Sequence, residues 1–150
     1  MVVGIGLDIV ETERLERALP AHGRAQERVF TEGELAVCEG RGDRIQALAA
    51  RFAAKEACLK ALGAGIAEGA LREVEIVPGK AGAPQLRLTG DLAERARRRG
   101  VRNAHVSLTH ERGLAAAVVI LEGAVSRAAS RPRNRAATTL RLDTRSSGTW

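Results

Sequence analysis

The spacing of apolar residues along this chain changes several times, and each change marks a predicted element. Residues 2–8 alternate, with Val3, Ile5 and Leu7 on one face and Gly4, Gly6 and Asp8 on the other, which predicts a strand. A face bearing two glycines lets other backbone or a ligand come close. Residues 11–19 predict a short helix, with Pro20 just beyond it. Thr31 and Glu34 have the spacing of a capping box and open a second short helix. Residues 44–62 carry the longest helical pattern, and Gly63 is placed to end it. Residues 73–77 and 85–88 alternate as strands around the turn-rich Pro78-Gly-Lys-Ala-Gly-Ala-Pro84. Residues 91–99 predict a helix closed by Gly100. Residues 104–109 alternate again, residues 114–121 form a nearly continuous apolar run suited to a buried strand, and His110-Glu-Arg-Gly113 joins the two as a tight hairpin. Hairpins beside helices, without regular strand–helix–strand alternation, predict an α+β fold with a largely antiparallel sheet.

Composition narrows this picture. A chain of 150 residues fits one domain, and 45% hydrophobic residues exclude general disorder. Aromatics are only 2%, so the core must be built from Val, Ile, Leu and Ala. No apolar run reaches the length of a membrane span, and the opening Met1-Val-Val-Gly lacks a basic signal-type region, so no membrane association is expected. Cys38 and Cys58 lie in no disulfide or metal-ligand pattern and read as reduced thiols of a cytoplasmic protein. The net charge of +6 is concentrated at one end, because residues 126–150 hold six Arg against one Asp. Residues 1–125 therefore read as the folded domain and residues 126–150 as a basic, disordered tail.

The long helical segment carries the most informative chemistry. At 100° per residue Ile45, Leu48, Ala49, Phe52 and Leu59 share one stripe, and Glu56 projects into it with Lys60 on its margin. A carboxylate on a core-facing stripe is costly unless its charge is compensated. An ordinary Glu56–Lys60 pair one turn apart is one explanation. A cation site with Glu56 as one ligand and Asp8, at the end of the first strand, as the other is the second. Mg²⁺ takes only one or two protein carboxylates, whereas zinc would want closely grouped His or Cys. Gly4-Ile-Gly6 lacks the third glycine of a dinucleotide fingerprint, and Gly63-Ala-Gly-Ile lacks the Lys-Ser/Thr of a phosphate loop. His105, Ser107 and Thr109 share a strand face that suits a phosphate site or plain solvent exposure, and no serine has the setting of a hydrolase nucleophile.

Three segments together resemble the holo-[acyl-carrier-protein] synthase family, the small type of 4'-phosphopantetheinyl transferase. They are Gly4-Ile-Gly-Leu-Asp-Ile-Val-Glu-Thr-Glu-Arg14, Arg51-Phe-Ala-Ala-Lys-Glu-Ala-Cys-Leu-Lys-Ala-Leu-Gly63, and Val106-Ser-Leu-Thr-His110 followed by Ala115-Ala-Ala-Val-Val-Ile120. The resemblance implies the transferase fold, with one long helix and several short ones on the sheet. It implies transfer of 4'-phosphopantetheine from coenzyme A to a serine of an acyl carrier protein, releasing 3',5'-ADP. It further implies a Mg²⁺ cofactor held by Asp8 and Glu56, and Lys60 neutralising pyrophosphate charge. Arg51 and His110 match positions that contact the nucleotide phosphates. Arg14, Arg24 and Arg28 match basic positions that grip the acidic carrier. A homotrimer with coenzyme A bound between subunits is also implied. Glu56, Glu111, or a metal-bound water acting with either, all stay open as the general base. The family often has an aromatic near Leu114, so packing beside that hairpin is expected to differ here.

Two rival functions remain at this stage. A Mg²⁺-dependent nucleotide hydrolase would use the same acids with water as nucleophile. A nucleic-acid-binding module would act through the arginine-rich tail, against which stand the nearly neutral body and the scarcity of aromatics for base stacking.

Overall fold

The structure, a computed structural model, describes residues 1–20, 24–65 and 70–124. The proposed tail therefore lies outside the described residues. The elements are β1 (Val2–Glu11), α1 (Thr12–Ala18), α2 (Ala25–Val29), α3 (Glu32–Cys38), α4 (Arg44–Leu62), β2 (Val74–Pro78), β3 (Pro84–Leu88), α5 (Gly90–Arg98), β4 (Val101–Glu111) and β5 (Leu114–Gly123). Two antiparallel sheets result, one ordered β1-β5-β4 and one formed by β2 and β3. This is the expected α+β fold, with α4 lying across the larger sheet. Among the described residues, no helix is long and apolar enough to cross a membrane.

Local chemistry explains most boundaries. Thr31 Oγ1 accepts from the Glu34 amide while the Glu34 carboxylate accepts from the Thr31 amide, so the predicted capping box opens α3. The β4–β5 hairpin turns on Arg112 and Gly113, both with positive φ, the geometry that matches the strand twist. The Thr12 hydroxyl and amide both donate to the Gly113 carbonyl, tying the start of α1 to that turn.

The glycine face of β1 has a specific purpose. A Cβ on Gly4 would stand 2.2 Å from the Ala61 carbonyl oxygen of α4, and one on Gly6 would stand 1.9 Å from that of Ala57. Strand and helix backbones are thus in direct contact, as two hydrogen side chains permit. Arg99 reinforces the junction by donating to the carbonyls of Ala61 in α4 and Val3 in β1, at 3.1 and 2.9 Å. The opposite face of β1 points outward, with Ile5, Leu7 and Ile9 65%, 59% and 62% exposed. Glycines took the helix-facing side, which left the apolar side chains outward. The register places them beside Ile120, Val118 and Ala116 of β5, making an apolar sheet face that none of the described residues covers.

The stripe read from α4 is core along Leu48, Ala49 and Leu59, which are buried. Ile45, Phe52 and Glu56 are only partly buried and Lys60 is exposed, and Phe52 and Glu56 border a cleft. The helix is enclosed over most of its remaining surface, and seven of its twelve buried side chains are alanine. Small side chains let β1 and β5 pack close, so the apolar arc was too broad for a single stripe to reveal.

The packing yields a direct test. Gly6→Ala should cost about 3 kcal/mol or more, because a rigid strand and a helix backbone must separate. Gly42→Ala, where an added Cβ meets nothing within 4 Å, should change stability by less than about 0.5 kcal/mol. Urea denaturation of the two variants measures both.

Candidate active site

Because β1 lies on α4, the side chain two residues beyond Gly6 falls over the last turns of that helix. Asp8 Oδ1 accepts from Lys60 Nζ at 2.8 Å, and the same ammonium donates to the Leu7 carbonyl at 3.0 Å. Asp8 is 16% exposed and Lys60 54%, so the pair sits at a rim. Of the two explanations for Glu56, the ion pair within α4 is not formed, and Lys60 pairs instead with the strand.

Glu56 remains without that partner. Its Oε1 is buried and makes no hydrogen bond. Burial, and then the nearby Asp8 charge, push its carboxyl above the usual glutamate range, with Lys60 opposing. Two carboxylates and one ammonium leave a net negative pocket in which a protein oxygen lacks a donor. A hard dication accepting oxygen ligands satisfies both deficits, so the residues present fit Mg²⁺. Among the described residues no cluster of three or more His, Cys, Asp and Glu could hold a metal, which leaves the carboxylate pair.

Asp8 and Glu56 open into a cleft of about 510 Å³. Val10, Leu15, Phe52 and Leu114 form an apolar wall, while Glu11 and Arg14 add charge. Sequence reasoning found Asp8, Glu56 and Arg14 but missed Glu11 and the wall, because these come from β1, α1, α4 and β5 and no local spacing connects them. Glu111 lies instead in a second hollow, with His110, Arg112 and Thr109. Leu114 and Ile9 line both hollows and stand between them. His110 Nε2 is 3.6 Å from Asp43, which also takes two hydrogen bonds from Arg41. Arg51 donates to the Ala47 carbonyl at 3.1 Å, and its Nε is buried without a partner. Neither Arg51 nor His110 lines the Asp8–Glu56 cleft within one chain. Arg24 and Arg28 are exposed at the two ends of α2, away from both hollows.

The raised carboxyl of Glu56 predicts a pH-dependent stability. The cost of its charge is present in full above its folded pKa, declines as pH falls through that value, and is gone below the ordinary glutamate pKa. Glu56→Gln should therefore melt about 1–3 °C higher than the parent at pH 7 in chelator. The difference should vanish near pH 4, and thermal melts at both pH values measure it.

Comparison with known proteins adds an independent line. Residues 4–119 match the 4'-phosphopantetheinyl transferase superfamily. The holo-[acyl-carrier-protein] synthase of Anaeromyxobacter dehalogenans is 49% identical over 128 residues, covering 83% of this chain and 98% of that protein. The crystal structure of holo-[acyl-carrier-protein] synthase from Neisseria meningitidis superposes with a TM-score of 0.72 at 33% identity, covering 81% of this chain and 99% of the other. The Bacillus anthracis holo-(acyl-carrier-protein) synthase in complex with CoA (3',5'-ADP) has a TM-score of 0.67 at 35% identity, over 83% of this chain and 99% of the other.

Proposed function

We propose, on the premise that the chain belongs to the holo-[acyl-carrier-protein] synthase family of 4'-phosphopantetheinyl transferases, that its Asp8–Glu56 cleft is a Mg²⁺-dependent reaction centre. The chain is a phosphopantetheinyl transferase, carrying 4'-phosphopantetheine from coenzyme A to an acyl carrier protein. The observation that carries the metal assignment is the buried, unpartnered Glu56 oxygen beside the Asp8 carboxylate. Bound there, Mg²⁺ would offset the negative charge of the coenzyme A pyrophosphate.

The chain's own groups do the rest. The serine hydroxyl of the carrier attacks the phosphorus that bears the pantetheine arm, its proton passing through water to a carboxylate base, and the bond from that phosphorus to the bridging oxygen breaks to release 3',5'-ADP. Lys60, already turned toward Asp8 at the rim, supplies positive charge to the pyrophosphate as it departs. Asp8 and Glu56 would be the residues that hold the metal. Glu56 therefore has little freedom to act as base while it serves as a ligand, and Glu111 lies in the other hollow of the same chain.

Arg51 and His110 are assigned to the nucleotide phosphates. Their separation from the cleft in one chain supports a site shared between subunits, as does the uncovered face of Ile5, Leu7, Ile9, Val118 and Ile120. The assembly proposed is a homotrimer, with three copies burying these faces together. Arg14, Arg24 and Arg28 are assigned to the acidic carrier, Arg14 from the cleft wall itself. Two buried, unpaired cysteines accord with a reducing cytoplasm.

Mass spectrometry of apo-carrier protein incubated with the enzyme, coenzyme A and Mg²⁺ tests the reading. Asp8→Asn and Glu56→Gln should each lower turnover by about two orders of magnitude or more, the scale of a lost charge-stabilising contact. Undiminished turnover in excess chelator would contradict the metal assignment. Product release without carrier would instead favour a hydrolase. Light scattering should give about three times 15.9 kDa for the parent and a smaller mass for Leu7→Glu.

A further inference from the structure

The residue before Glu56 belongs to a different environment. Lys55 is wholly buried, and its ammonium donates to the carbonyls of Leu71 and Val74 while standing 2.7 Å from Glu34 Oε2. Glu34, equally buried, also accepts from the Ile76 amide at 3.0 Å and from the Thr31 amide. Every polar atom of the pair thus has a partner, and the bonds reach α3, β2 and the 3-10 turn Ala70–Glu73 from one position on α4.

Around Lys55 the buried surface of α4 is alanine, with Ala53, Ala54 and Ala57 offering shallow ridges. The glycine contacts with Ala57 and Ala61 hold β1 against one side of the helix, and Lys55 ties another side to α3 and β2. Lys55 and Glu56 project about 100° apart, so a bolt on the first sets the direction of the second. A rotation of about 10° would displace a carboxylate roughly 6 Å from the axis by about 1 Å. Misplacements of that size cost on the order of 10²-fold in rate.

We infer that Lys55, paired with Glu34, is a positioning residue for the transferase reaction, locking the rotation of α4 so that Glu56 and Lys60 meet Asp8. This rests on the reading of Asp8 and Glu56 as a cation site. A buried ion pair is seldom the most stable filling for its volume, and apolar replacement of both partners is often neutral or stabilising. Stability and positioning are therefore separable by experiment.

The test compares the parent with Glu34→Leu/Lys55→Met and with Glu34→Gln, which keeps volume and weakens the pair. Leu92→Ala, a core truncation on α5, serves as a control for destabilisation alone. Melting temperature, Mn²⁺ affinity by electron paramagnetic resonance, and kcat and KM for coenzyme A are measured at 20 °C. The double variant should melt within a few degrees of the parent. Its Mn²⁺ dissociation constant should rise at least threefold and its kcat fall at least tenfold, with KM for coenzyme A changed less than twofold. Glu34→Gln should shift Mn²⁺ affinity and kcat in the same direction, while Leu92→Ala lowers the melting temperature and leaves both at the parent value. Parent-like Mn²⁺ affinity and kcat in the double variant, or in folded Glu34→Gln should the double variant not fold, would overturn the inference. A parent protein that binds no Mn²⁺ would instead overturn the cation-site reading beneath it.

Discussion

Contact between the backbone of β1 and the backbone of α4 governs the rest of the molecule. Gly4 and Gly6 remove the side chains that would hold the two apart, and the carbonyls of Ala57 and Ala61 fill the space. Asp8, next on the same strand face, is thereby brought to the turn of α4 that carries Glu56 and Lys60. The same packing turns Ile5, Leu7 and Ile9 outward, so the site and the uncovered apolar face have one cause. Strand alternation makes these inseparable, since moving the register by one residue would exchange the faces.

Two acids on or against α4, Glu34 buried and Glu56 partly so, show how differently charge can be handled. Glu34 is surrounded by donors and an ammonium, and its burial is fully compensated. Glu56 faces another carboxylate and keeps an oxygen without a donor. The first arrangement holds elements together, and the second is a charge deficit that a phosphate-binding cation would relieve.

Much of this was legible in sequence where the determining interaction is local. The Thr31–Glu34 box, the length of α4 and the Arg112–Gly113 turn follow from contacts within a few residues. The pairing of Gly4 and Gly6 on one strand face announced a close approach, though not which backbone would make it. The Lys55–Glu34 pair was not legible, because its partners are distant in sequence and a lysine among alanines reads as solvent-facing. Similarly, the alternation of residues 2–8 separates the two faces of β1 without showing which one meets the helix. The short helix α2 escaped because five residues give too little period. His110 and Arg51 came from resemblance, and their distance from the cleft is a property of the single chain that no spacing rule contains.

The central claim is that Glu56 is an uncompensated carboxylate facing Asp8, held ready for a hard cation. Carbon-detected NMR titration of the Glu56 side-chain carboxyl, in metal-free protein, in Asp8→Asn and with saturating Mg²⁺, measures that condition directly. The account predicts a titration midpoint above the usual glutamate range in the metal-free protein, falling in Asp8→Asn and falling further with Mg²⁺. An ordinary midpoint that neither the substitution nor the metal moves would contradict it.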